Sequence, residues 1–310
     1  MRITNNMLVS NMLTALGNNE SRMSKYQNQL YTGKKIQLPS DDPIVAARAL
    51  KLRTDVSKLE QYQKNLGDAQ SWVDATDAAL AQIGNILKRA KELSTQAANG
   101  TNSSAETGDI GQEMKQLKVQ LVHIANSTYS GRYMFSGFQT DQKLIEDDET
   151  KTTSFGKFEI GVNIATEKIQ FEIGEGDNIN INVTGGDVFN SGSNAVYGAE
   201  PSMIALFSNV IADLDSGNNT GVRNQLDKFD EQVDNLLRVR ADIGARQNRI
   251  DLSADRMSND LVNMTDLMSK NEDADPAETI MNLKMEENVY QASLAGGARI
   301  IQQTLVDFLR

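Results

Sequence analysis

Apolar positions in this chain recur mostly three and four residues apart, the spacing that lays a stripe along one face of an α-helix. The first stripe is Val9, Met12, Leu16, Asn19, Met23, Tyr26 and Leu30, with Asn19 its one polar member. Gly33 follows and suits a helix stop, where a residue without a Cβ turns the chain. Pro39-Ser40-Asp41-Asp42-Pro43 predicts a new start. The Asp42 carboxylate can cap the orphan N–H groups of a first turn, and Pro43 has no N–H to leave unpaired. A second stripe runs through Val45, Ala49, Leu52, Val56 and Leu59, then through Leu66, Val73, Leu80 and Leu87 at strict sevens. Its alternate positions there are Gln63, Gln70, Asp77 and Gly84, which suggests contact with more than one neighbour or a weaker one. Asn99 to Ser104 reads as a loop. Ile110, Met114, Leu117, Leu121 and Ile124 then predict a shorter helix ending by Gly131.

The period changes beyond that point. Phe158, Ile160, Val162 and Ile164 alternate, as do Ile169, Phe171, Ile173 and then Ile179, Ile181, Val183, with Gly174, Gly176, Gly185 and Gly186 between them. This predicts a small β-rich insert of antiparallel hairpins. Helix returns near Pro201, with Ile204, Phe207 and Ile211 on one face. The longest stripe follows: Val222, Leu226, Phe229, Val233, Leu236, Arg240, Ile243, Gln247, Ile250, Ala254, Met257, Leu261, Met264 and Met268. Asp275-Pro276 repeats the cap-and-proline device, and a last helix carries Ile280, Leu283, Tyr290, Leu294, Ile301 and Phe308. The predicted fold is mainly α with a small β-rich insert. Both chain ends would pair in a long antiparallel helical bundle or coiled-coil rod, with the β domain, from the middle of the chain, at its far end. The expected divisions are 1–42 with 272–310 as terminal helices, 43–135 with 200–271 as the rod, and 136–199 as the outer domain.

Composition removes most chemistry. Among 310 residues there is no cysteine and one histidine, so disulfides, thiol nucleophiles and Cys/His metal clusters are excluded. A net charge of −11 argues against nucleic acid, which demands a basic field. No cofactor and no membrane insertion are expected: Asn288 to Val306, the least charged stretch, holds too many polar residues to span a bilayer. The amino terminus does not read as a cleaved secretory signal, since Asn5, Asn6, Ser10 and Asn11 interrupt its apolar run.

Two segments depart from an ordinary coiled coil. Residues 3–19 carry no charge and residues 288–306 carry only Arg299. The last helix also has apolar or small residues away from its stripe, among them Met281, Met285, Val289 and Ala292. Such faces are wider than one partner helix covers, so both ends should be surrounded by further copies of the chain. The candidate interface residues are Val9, Met12, Leu16, Met23 and Leu30 with Leu283, Tyr290, Leu294, Ile301, Leu305 and Phe308.

The same segments resemble a known family. Met1-Arg2-Ile3-Thr4, Leu30 to Ile36, Pro39 to Pro43, Ala46 to Leu50 and Leu59 to Tyr62 are similar to the amino-terminal region of flagellin-like axial proteins of the bacterial flagellum, most of all their hook–filament junction members. Gly131 to Gly137 resembles the lead-in to the small outer domain of those members, and Gln291 to Arg310 their carboxyl terminus. The resemblance implies a non-enzymatic structural protein exported through the flagellar type III channel. It would assemble at the hook tip, with other copies, another hook-associated junction protein and flagellin as partners. An export chaperone would hold its carboxyl-terminal helix beforehand. A filament-forming flagellin is the nearest alternative. Lys88 to Asn102 resembles a flagellin segment read by a vertebrate innate receptor, which would make Arg89, Glu92 and Leu93 recognition residues.

Other features are weaker. His123 lacks a Cys or His companion and reads as a surface residue. Asp213, Asp215 and Gly217 miss the calcium-loop spacing, with Asn224 where a bidentate Glu belongs. A carboxylate enzyme in the β insert, acting for instance on glycans, has no convergent constellation in the sequence. Asp41, Asp42 and Pro43, with Lys34 and Lys35, are singled out as a joint between terminal helices and rod. Helix capping is the plainer account of the Asp pair.

Overall fold

A computed structural model describes residues 5–99, 103–151 and 153–307. The elements in chain order are α1 (Asn5–Thr32), α2 (Pro43–Ala98), α3 (Ser104–Ala125), β1 (Thr128–Tyr129), β2 (Arg132–Tyr133), β3 (Gln170–Gly174) and β4 (Asp177–Asn180). They are followed by α4 (Gly185–Phe189), α5 (Ser202–Asp215), α6 (Asn219–Glu272) and α7 (Pro276–Asp307). The chain forms two compact units, one of Leu59–Ser258 and one of Met1–Lys58 with Asn259–Arg310, and α2 and α6 contribute to both.

The larger unit holds the main core. There α2 and α6 run antiparallel: Asp74 meets Gln247 at 2.8 Å, Asp77 meets Arg240 through two bonds of 2.9 and 3.0 Å, and the Ala98 carbonyl accepts from Arg223 at 3.1 Å. Arg240 and Gln247 are the two polar positions of the long stripe, and Asp77 is a polar position of the facing one. Matching them fixes the register of the largely apolar α6 stripe against α2, as polar residues do in coiled coils. Val222, Phe229, Leu236, Ile243, Ile250 and Met257 are buried, as the periodicity predicts. On α2 a second buried line, Ala69, Trp72, Thr76, Ala79, Ile83, Ile86 and Ala90, lies beside Leu66, Val73, Leu80 and Leu87. Alanine and threonine let further elements approach closely, so this part of α2 is covered on two faces. Bonds from Arg89 to Glu113 on α3 and from α3 Lys118 to α5 Ser208 complete a four-helix arrangement.

The β-rich insert is laid out differently from expectation. Helix α3 ends at Ala125, within the predicted limit of Gly131, and Ser130 and Gly131 (φ 50° and 76°) make the tight turn of the β1–β2 hairpin. Two successive positive φ values are the geometry that matches strand twist. The second hairpin, β3–β4, forms where the alternation places it. Residues 158–164 alternate in burial but make only isolated bridges, Phe158 to Ile145 and Val162 to Ala195. Among the described residues only Phe158 and Val162 of the run exchange backbone bonds with the 195–199 segment, while Glu159 bonds the Leu144 carbonyl on the other side, so no continuous ladder develops.

Nor does the insert sit at the far end of the bundle. It is strapped along the side of α6 over about 30 Å at 1.5 Å per residue. Asn235 binds the Asp187 carbonyl at 2.9 Å, and Arg238 binds the Asp187 carboxylate at 2.6 Å. Arg246 donates to the carbonyls of Asn180 and Asn182, Arg249 to that of Asn178, and Gly174 approaches Met257. Asn65 of α2 caps the opposite edge at the Glu172 carbonyl, 2.7 Å away. Helix side chains therefore satisfy edge carbonyls on both sides of a two-stranded ribbon that would be marginal alone. Sequence periodicity carries no trace of this, because Arg238, Arg246 and Arg249 look like an ordinary solvated face.

Candidate assembly interface

In the smaller unit α1 and α7 pack antiparallel. Met12 fills the space beside Gly297, where an added Cβ would collide with its thioether. Asn19 is buried and approaches Ser293 at 3.5 Å, and it also bonds Arg22. Arg22 in turn holds Glu286 through bonds of 2.8 and 3.1 Å. The polar member of the first stripe thus sets register.

Val9, Met12, Leu16, Met23 and Tyr290 are half-buried and Leu283 is buried, while Leu30 and Leu294 remain exposed. Ile301 and Leu305 belong to α7, but their side chains lie outside the described residues, as does Phe308. The buried apolar side chains described in this unit are few, Ala46, Ala49 and Leu283, whereas Leu13 (62% exposed), Ile44 (73%), Met281 (64%) and Leu294 (46%) face outward. Met7, Leu8, Leu38, Leu50, Met285 and Val289 join them. The described large apolar side chains of this unit are thus more often exposed than buried.

The joint uses Lys34 and Lys35, as the sequence suggests, but pairs them with Glu272 and Asp273, which with Arg53 the sequence does not single out. Gly33 (φ 68°) ends α1, and its carbonyl accepts from Ala274 at 2.8 Å, while the Lys35 N–H donates to the Glu272 carbonyl at 2.6 Å. Glu272, with a side chain only 2% exposed, accepts two bonds from Arg53 at 2.7 and 2.6 Å and faces Lys34 at 3.3 Å. Lys34 also pairs with Asp273 at 2.7 Å. One buried carboxylate thus ties the end of α6 to the starts of α2 and of the α1–α2 connection. The Arg53 guanidinium, then Lys34, hold the Glu272 carboxyl below the usual range despite burial. Lys34 and Ser269 do the same for Asp273.

Asp41 and Asp42 act locally instead. Asp41 accepts from the N–H groups of Leu38 (3.1 Å) and Gln37 (3.2 Å), which also lower its carboxyl pKa. Asp42 caps α2 at Ile44 (3.0 Å) and Val45 (3.1 Å), with Pro43 as first helical residue. Among the described residues Lys34 and Lys35 bond to the end of α6 and the α6–α7 connection rather than to either aspartate. Glu272 and Arg53 were invisible beforehand because no local pattern tells residue 272 which helix it will face. Asp42→Ala should cost about 1 kcal/mol at the start of α2. The check is hydrogen exchange of the amides of residues 44–47, which should quicken about fivefold; an unchanged rate would contradict the cap.

Of the segment resembling a receptor target, Arg89 and Glu92 are on the surface, where Arg89 binds both Glu92 and Glu113, and Leu93 is buried. His123 is exposed. Among the described residues no group of three acidic, His or Cys side chains could hold a metal, and no helix is long and apolar enough to cross a membrane.

Comparison with known proteins follows the same division. Residues 3–140 match the family model of the bacterial flagellin N-terminal helical region, and residues 226–309 that of the C-terminal helical region. Flagellar hook-associated protein 3 of Escherichia coli is 29% identical, covering 94% of this chain and 95% of its own. Flagellin of Bacillus subtilis is also 29% identical, over 98% and 97% of the two chains. The crystal structure of the flagellar junction protein from Legionella pneumophila superposes with a TM-score of 0.56 at 16% identity, covering 73% of this chain and 100% of the other. With both of its terminal helical regions matched, and those regions forming the paired helices described above, the chain belongs to the bacterial flagellin family.

Proposed function

We propose that this chain is a structural subunit of the hook–filament junction of the bacterial flagellum. The observation that carries the assembly role is the smaller unit, whose α1 and α7 leave more large apolar side chains outside than inside. Copies packing these helices together would bury them, each large side chain contributing roughly 1.5–3 kcal/mol. Val9, Met12, Leu16 and Met23 with Leu283 and Tyr290 hold α1 to α7, and Leu30 and Leu294 with their exposed neighbours face the next subunit. The bundle of the larger unit supplies stiffness, and the strapped insert adds lateral surface. The division into terminal helices (1–42, 272–310), rod (43–135, 200–271) and outer domain (136–199) belongs to the same proposal. So do export through the flagellar type III channel and a chaperone on the carboxyl-terminal helix.

The likeness of Pro39 to Pro43 and of the carboxyl-terminal residues to the junction members favours the junction over the filament. Equal identity to a flagellin keeps a filament subunit as the second reading. Deleting the gene separates them. Bare hooks with flagellin released into the medium are the expected result. Finished hooks with no released flagellin would make this chain the filament subunit, and normal filaments would contradict both.

A further inference from the structure

We infer that the outward face at the start of α2 docks on the outward face at the start of α7 of a second copy of this chain, an inference that rests on the assembly role proposed above. Charge is divided between the two halves of the smaller unit. Residues 1–58 carry nine Lys and Arg against four Asp and Glu, and residues 259–310 carry four against nine. Part of this imbalance is neutralised inside the unit, by Arg22 with Glu286, Lys34 with Asp273 and Arg53 with Glu272. What remains is sorted onto two different helices. On α2, Ala46 and Ala49 are buried, which turns Ile44, Arg48, Leu50 and Lys51 outward. Ile44, Lys51 and Lys58 recur at strict sevens, a second helical stripe on the side away from the unit's core. Among the described residues Arg48, Lys51 and Lys58 have no carboxylate partner.

On α7, Thr279 and Leu283 are buried, and Glu278, Met281, Met285 and Val289 take the outer side. Lys284 is held by Glu287 at 2.7 Å, and no cation among the described residues binds the Glu278 carboxylate. The two faces are alike in apolar area and opposite in charge, and both are exposed in the free chain, so neither covers the other. Laying one over the other between copies encloses Ile44 and Leu50 against Met281 and Met285, whose unbranched thioethers adapt to the surface they meet. Arg48 and Lys51 then come to Glu278, the arrangement that selects this pairing over others. A two-fold contact of the α2 face with itself would instead set its cations against one another. Because the contact joins unlike faces, a pair of copies keeps one unused face of each kind, and further copies add in one direction.

The chain has no cysteine, so single introduced cysteines report contacts between copies without background. Two full chains, Leu50→Cys and Met281→Cys, would be expressed together in a strain lacking the gene, and the isolated flagella oxidised and their proteins resolved by mass. Filament growth shows that the variants fold and assemble. A disulfide joining 50 of one copy to 281 of another is expected, in preference to 50–50 or 281–281 products. Lys51→Glu added to the first chain should sharply reduce it, and Glu278→Lys added to the second should restore it. That rescue requires the two charges to face each other, which a mere loss of local stability would not give. Filaments without the 50–281 product, like-with-like products in its place, or failure of the rescue would overturn the inference and leave the junction role standing. Normal filaments in the strain with no copy supplied would overturn the junction role, and this inference with it.

Discussion

Replacing Glu272 by alanine should weaken the smaller unit by about 2–3 kcal/mol. Removing one member of a buried ion pair normally costs more, because its partner is left charged and dry. Here Arg53 and Lys34 are 56% and 37% exposed, so water takes over part of what the carboxylate supplied. The readout is hydrogen exchange of α1 and α7 amides, which should accelerate strongly. Trp72, buried in the larger unit edge-to-face with Tyr129, should report no change. Slow exchange retained in α1 and α7 would contradict the joint described above. Acid should act in the same direction. Glu272 and Asp273 have carboxyls lowered in the folded chain, so their contribution is complete above the unfolded values of about 4. It is lost as pH falls through the still lower folded values. Exchange should therefore show no step from this source between neutrality and pH ~5, and a loosening in stronger acid.

A second substitution separates folding from assembly. Leu13 and Leu294 face outward in the free chain. Changing both to glutamate should leave the melting temperature of the isolated protein unchanged, since exposed substitutions usually move stability by less than ~0.5 kcal/mol. In a polymer the same two positions would be enclosed by apolar neighbours. Each subunit would then lose roughly 1.5–3 kcal/mol per leucine and would also bury an unpaired charge. Assembly should fail completely. A variant that melts early would show instead that these leucines belong to the subunit's own core.

Elements governed by local rules were legible in the sequence. The stripe from Val222 to Met268 places its buried residues correctly, Asp42-Pro43 and Asp275-Pro276 start α2 and α7, and Gly33 ends α1. These depend on spacing and capping, which a short window contains. The failures are all long-range. Lys34 pairs with Asp273 rather than with anything near Asp41, and Glu272 finds Arg53 far back along the chain. The alternation at 158–164 predicts a hairpin strand, whereas the segment alternates in burial with isolated bridges only, because alternation does not say whether a partner strand runs continuously alongside. Arginines that cap ribbon edges have the same spacing as arginines that face water. The outward apolar face of the terminal helices was legible in part, because residues 3–19 and 288–306 lack the charges a solvated helix needs.

The central claim is that the outward face of α1 and α7 builds the junction. It is tested most directly in a strain lacking the gene, supplied with either the full chain or the Leu13→Glu, Leu294→Glu variant. Cell surfaces would be imaged by electron microscopy and the medium assayed for flagellin and for the supplied protein. The account predicts filaments with the full chain. With the variant it predicts bare hooks, with exported variant and unassembled flagellin both free in the medium. Normal filaments built with the variant would contradict it.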